Sequence, residues 1–120
     1  MRGLVTIAAL IALGGCGGSL GSDLAATLKE PSQESRVAAS RDRLLERLPL
    51  GSDIGAYRVL FKKSGGECAP QADAPTGRYV CRYQRATGLL ATAEWIFDIR
   101  YDRASGKSTS VTADFYVTSL

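Results

Sequence analysis

Histidine is absent from all 120 residues. That absence removes the commonest general base near neutral pH, the usual Ser-His and Cys-His nucleophile pairs, and the commonest metal ligand. A basic run is also missing: 15 Lys and Arg stand against 12 Asp and Glu, interspersed as in Arg41-Asp42-Arg43 and Glu46-Arg47. Nucleic-acid binding through a charged face needs a concentrated Lys/Arg stripe, so no nucleic-acid partner is expected. No apolar run reaches the twenty or so residues that a membrane-spanning helix requires. Paired carboxylates, the remaining route to acid/base chemistry, are also poorly placed. Glu94 and Asp98 share one face of a strand but stand about 13 Å apart at about 3.3 Å per residue, beyond either geometry of glycoside hydrolysis. They read as partners for Arg82 or Arg100 across a sheet. No catalytic residue, metal, cofactor or small-molecule substrate is expected.

The first residues carry an address. Met1-Arg2-Gly3 is a short positive segment, and Leu4 to Leu13 is an apolar run of ten. This is the length of a signal-peptide core. Leu13-Gly14-Gly15-Cys16 then resembles the bacterial lipobox: an aliphatic residue, two small residues and a cysteine. The resemblance implies that residues 1–15 are removed. The Cys16 sulfur would carry a diacylglycerol, and its new amino group a fatty acyl chain such as palmitate. Two or three such chains hold a protein on a membrane where one would not, at about 0.8 kcal/mol per buried CH₂. Gly17, where an Asp would signal retention in the inner membrane, resembles outer-membrane cargo. The expected place is the bacterial cell envelope, lipid-anchored and facing the periplasm.

Residues 16–31 read as the lipidated cysteine and a flexible tether, because Gly17-Gly18-Ser19-Leu20-Gly21-Ser22 has no core-forming composition and Pro31 interrupts the short Leu24–Leu28 pattern. A folded domain is expected over residues 32–120. Val37, Leu44, Leu45 and Leu48 fall on one helical stripe, with Ser32 as N-cap and Pro49 as the stop. Ser52 then caps a second helix carrying Ile54, Tyr57, Leu60 and Phe61, ending near Gly65-Gly66. Residues 67–77 read as loop. Three alternating strands come next, with Tyr79, Cys81, Tyr83, then Ala93, Trp95, Phe97, Ile99, Tyr101, then Val111, Ala113, Phe115, Val117 on the inward faces. The expected architecture is α+β, with two N-terminal helices packed on one face of a three-stranded antiparallel meander.

Cys68 and Cys81 are 13 positions apart. In a periplasmic protein a structural disulfide is the default. A redox-active pair usually has the closer Cys-x-x-Cys spacing. Opposite the inward-facing residues, Arg82, Ile96, Asp98, Arg100 and Tyr116 make a mixed polar and aromatic face, a candidate partner surface. An ordinary solvated sheet face has the same composition.

Taken in order, the lipobox, the helix ending in Leu48-Pro49-Leu50-Gly51-Ser52, Gly66-Glu67-Cys68, Tyr79-Val80-Cys81 and Trp95-Ile96-Phe97-Asp98 resemble the small outer-membrane lipoproteins of the BamE/SmpA/OmlA type. The resemblance covers about residues 33 to 118. It implies two helices on a three-stranded sheet and a non-catalytic accessory subunit of envelope assembly, with an envelope protein as partner. Related modules imply an alternative: an inhibitor or binding module that presents the disulfide-closed segment 68–81 to a secreted or periplasmic hydrolase.

Overall fold

The structure is a computed structural model that describes residues 19–71 and 76–119. Residues 1–15 and Cys16, on which the leader and lipidation expectations fall, lie outside the described residues. Three helices precede the sheet: α1 (Leu20–Ala26), α2 (Gln33–Arg47) and α3 (Ile54–Lys63). Four strands complete the chain: β1 (Glu67–Pro70), β2 (Gly77–Ala86), β3 (Ala91–Asp102) and β4 (Lys107–Ser119). They form one antiparallel sheet in the order β1-β2-β3-β4.

The expected plan of two helices and three strands is therefore corrected on both counts. The first correction is β1. Glu67–Pro70 pairs with Arg82–Tyr79, so the stretch read as loop is in part an edge strand. Its four residues offer no alternation to read, and Pro70 is tolerated because the edge requires no second partner. Cys68 lies directly opposite Cys81, and the two form a disulfide. Much of the segment 68–81 is thus a stapled hairpin rather than a presented loop.

The second correction is α1. Residues 20–29 are not a tether but part of the core: Leu20 and Leu24 are fully buried, one helical turn apart, and Thr27 is buried in the short 3₁₀ turn Thr27–Lys29. Ser19 caps the helix by accepting from the Ser22 amide at 3.2 Å. Gly21, which suggested flexibility, is there for close approach. A Cβ on it would lie 2.6 Å from the Tyr83 hydroxyl oxygen. Asp23 holds Arg47 at 2.7 Å, tying α1 to the last turn of α2.

Helix α2 starts as expected. Ser32 and Ser35 form a reciprocal capping box, with bonds of 3.1 and 3.2 Å. It ends before Pro49. Leu44 is fully buried, with Val37, Leu45 and Leu48 packed against the core. The helix also lies along the free edge of β4. Gln33 Nε2 donates to the Phe115 carbonyl at 2.6 Å, and Arg41 Nε to the Val111 carbonyl at 2.7 Å. Those side chains occupy edge carbonyls that would otherwise invite another strand.

In α3 the cap is Asp53, not Ser52: its carboxylate accepts from the Gly55 amide at 3.1 Å. Gly65, with φ at +89°, carries the chain out of the helix into β1. Tyr57 and Phe61 face inward, and Phe61 meets the edge of Phe97 at 5.6 Å. The Tyr57 hydroxyl lies 2.9 Å from Ser108 Oγ and 3.3 Å from the Leu48 carbonyl, joining the α2–α3 turn to β4. Burial pushes the Tyr57 phenol above its ordinary 10.0, partly offset by the Ser108 hydrogen bond. The folded state therefore holds the proton more tightly than the unfolded chain. Stability should be constant below about pH 10 on this account and fall as pH rises beyond it. Urea midpoints measured from pH 8 to 11 check this, and Tyr57→Phe should remove that part of the fall.

The inward face of the sheet carries Tyr79, Cys81, Tyr83, Ala93, Trp95, Phe97, Ile99, Val111 and Phe115, all buried, as the alternation predicts. Val117 departs from the pattern. It lies past the start of α2 and is 55% exposed.

Candidate functional site

All three helices lie on one side of the sheet, because only that side is apolar. The other side is left open, and it carries every residue that the period-two pattern assigned to it. The pairing Arg82–Ile96–Asp114 makes one row across β2, β3 and β4. Next to it lies the row Val80–Asp98–Thr112, then Arg78–Arg100–Ser110; on the other side lies Gln84–Glu94–Tyr116. Arg82, Ile96, Asp98, Arg100 and Tyr116 are thus brought onto one surface, with Ile96 at its centre and Tyr116 51% exposed at its rim.

The charges interlock. Asp98 Oδ2 accepts from Arg78 Nε at 2.9 Å and lies 2.8 Å from Arg78 Nη2. Arg100 Nε stands 3.5 Å from Asp98 Oδ1, and Arg82 Nη1 stands 3.6 Å from Glu94 Oε2, which also accepts from Gln84 Nε2 at 3.2 Å. Such half-exposed pairs contribute little to stability, of the order of 0–1 kcal/mol each. Their effect is to fix the directions of three guanidinium groups.

One atom is left over. Asp98 Oδ1 is screened from solvent and accepts no hydrogen bond; its ion pair with Arg100 Nε, at 3.5 Å, is too long for one. A buried carboxylate oxygen without a donor is costly, and such atoms call for a physical reason. Beside it, Asp114 has no ion-pair partner among the described residues, and both line a shallow hollow of about 240 Å³ with Arg78, Arg82, Ile96 and Thr112. A second hollow of similar size, about 240 Å³, adjoins it across Arg82 and reaches Glu94 and Gly66. Both are smaller than the ~300–1,000 Å³ clefts that enclose small molecules.

Sequence reasoning did not assign Arg78 to this surface, because it named the strand from its inward residues, beginning with Tyr79. The alternation itself extends back to Arg78, so the signal was there. Val80 and Asp114 fall on the outward face by the same alternation, whereas Gln71 lies in the stretch read as loop. Trp95, Phe97 and Tyr101 belong to the core side, with Trp95 and Phe97 fully buried. Among the described residues no cluster of three or more Cys, Asp or Glu could hold a metal ion, and no helix is long and apolar enough to cross a membrane.

The chain matches no family model, no curated protein and no solved structure. The fold departs by one helix and one strand from the two-helix, three-strand plan expected of BamE/SmpA/OmlA-type lipoproteins.

Proposed function

We propose that this chain is a lipoprotein of the bacterial envelope, acylated at Cys16 and held at the outer membrane facing the periplasm, where it serves as a non-catalytic interaction subunit in envelope assembly. One observation carries the reading: the helices cover a single side of the sheet, and the uncovered side holds an ordered array of charges around Ile96 with an unsatisfied acceptor, Asp98 Oδ1. A partner protein that brings a cationic or amide donor to Asp98 and Asp114, and an apolar group to Ile96, would satisfy that acceptor and cover the apolar centre. Central apolar contacts with fixed charges around them are where binding energy concentrates.

Affinity purification from membranes solubilised in mild detergent tests this. The wild-type chain should recover a stoichiometric envelope protein. Ile96→Asp and, separately, Asp114→Lys should each lower that recovery by about tenfold, the effect of losing about 1.4 kcal/mol of binding. Asp114 is exposed and outside the ion pairs of this face, so its replacement separates binding from stability. Recovery of the chain alone would count against the reading.

A further inference from the structure

The correction to α1 sets how far the domain can stand from a membrane. Cys16 is three positions before Ser19, the cap of α1. Three residues of fully extended chain span at most about 10 Å. If the anchor is on Cys16, the reading on which this inference rests, the domain lies against the lipid surface.

The fold determines which end faces it. The first turn of α1 is fixed at one end of the sheet. The Gly21 amide donates to Ser64 Oγ at 3.3 Å, just past the end of α3, and Arg85 Nη1 donates to the Gly21 carbonyl at 3.3 Å. At this same end β2 turns into β3, and the turn projects Leu89 and Leu90, which are 101% and 60% exposed. A single exposed leucine is unremarkable, but two adjacent ones at the tip of a hairpin have no apolar cover among the described residues. Lys63 in the last turn of α3 and Arg85 on β2 stand toward this end, both exposed, whereas Lys62 lies beside Arg58, Glu67 and Cys68 along the β1 edge. The nearby acids are occupied: Asp23 by Arg47, Glu94 by Arg82 and Gln84. Glu67 is turned with Arg82 toward the outer face. At the opposite end the turn Arg103-Ala104-Ser105-Gly106 carries no large apolar residue, and the α2–α3 turn beside it exposes Leu50 alone, at 49%.

We propose that the β2–β3 hairpin tip, Leu89 and Leu90, enters the headgroup layer of the anionic phospholipid membrane that anchors Cys16, with Lys63 and Arg85 against the lipid phosphates. Apolar side chains beside basic ones are the composition of an interfacial contact. The strands then rise away from the membrane, and the outer sheet face looks sideways along it, toward neighbouring membrane proteins.

The test uses the full acylated chain, its acyl mass verified, in vesicles of phosphatidylethanolamine and phosphatidylglycerol. Cys16 is blocked by lipid and Cys68 and Cys81 by their disulfide, so a thiol added by Leu89→Cys can be labelled alone with an environment-sensitive fluorophore. Ser105→Cys reports the far end. The expected result is blue-shifted emission at position 89 and loss of its fluorescence to lipids brominated near the headgroup, with neither change at position 105. Water-like emission at both positions, or quenching at position 105 instead, overturns the orientation while the anchor stands. A chain without acyl mass overturns the anchored reading itself and the orientation with it.

Discussion

A chain that starts at Ser32 should fail to fold cooperatively, whereas one that starts at Ser19 should fold. Leu20 and Leu24 are both fully buried, and each buried leucine side chain contributes about 2–5 kcal/mol against truncation. Removing α1 deletes both. It also takes away Thr27 and the Asp23 partner of Arg47, and exposes the core beneath them. The sum is comparable with the entire stability of a small domain, about 5–15 kcal/mol. Urea unfolding monitored by far-UV circular dichroism separates the outcomes. Residues 19–120 should give a sigmoidal transition, and residues 32–120 a featureless slope. Equal midpoints for the two would mean that α1 is an attachment and not part of the core.

Trp95→Ala should cost about 3–5 kcal/mol, the range for deleting a large buried aromatic side chain. Trp95 is fully buried at the centre of β3, with Phe115 at 5.3 Å and Tyr83 at 5.6 Å between ring centroids. Its indole Nε1 donates to Thr27 Oγ1 at 3.2 Å, and Thr27 Oγ1 donates onward to the Leu24 carbonyl at 2.6 Å. Ser40 Oγ lies 3.3 Å from the same threonine oxygen. This chain of polar groups joins α1, α2 and the sheet inside an otherwise apolar core. Trp95→Phe keeps most of the ring volume and removes the donor, so it should cost less, with about 1 kcal/mol of the loss belonging to the hydrogen bond. A double-mutant cycle with Thr27→Val, read by urea midpoints, isolates that part. A coupling indistinguishable from zero would show that the bond does not hold α1 in place.

Where a residue pattern repeats, the sequence was enough to read the fold. Val37, Leu44, Leu45 and Leu48 placed α2, Ser32 and Pro49 bounded it, and the alternation from Tyr79 to Phe115 placed three strands with the correct inward faces. Where an element is too short to repeat, its composition misled. In α1 the Leu20/Leu24 pair is a single turn of stripe, and Gly21 and Ser22 between them suggest a linker; the reason for Gly21 is Tyr83, 62 positions later. In β1 one inward residue, Cys68, is all the pattern available, and it is the disulfide and the pairing with β2 that make the segment a strand. Half of the candidate surface was legible for the same reason. Period two assigns Arg82, Ile96, Asp98, Arg100 and Tyr116 to one face. It does not say that Asp98 meets Arg78, because that depends on the register set by the hairpin between Ala86 and Ala91.

The corrected fold also changes what the anchor means. A flexible stalk of fifteen residues would let the domain sample all orientations, and no surface would be favoured. A domain that begins at Ser19 has almost no stalk, so the lipid on Cys16 would fix both its height and which end it turns to the bilayer. An open sheet face held at a constant angle beside the membrane loses less orientational entropy on meeting a membrane-embedded partner than a freely tumbling one.

The proposed anchorage depends on the state of one sulfur, and the intact mass of the chain extracted from the membrane fraction reads it directly. The expected mass is that of residues 16–120 with one disulfide, a diacylglycerol and, where the terminus is acylated too, a third fatty chain. An intact leader, or a mature terminus with no lipid mass, would contradict it.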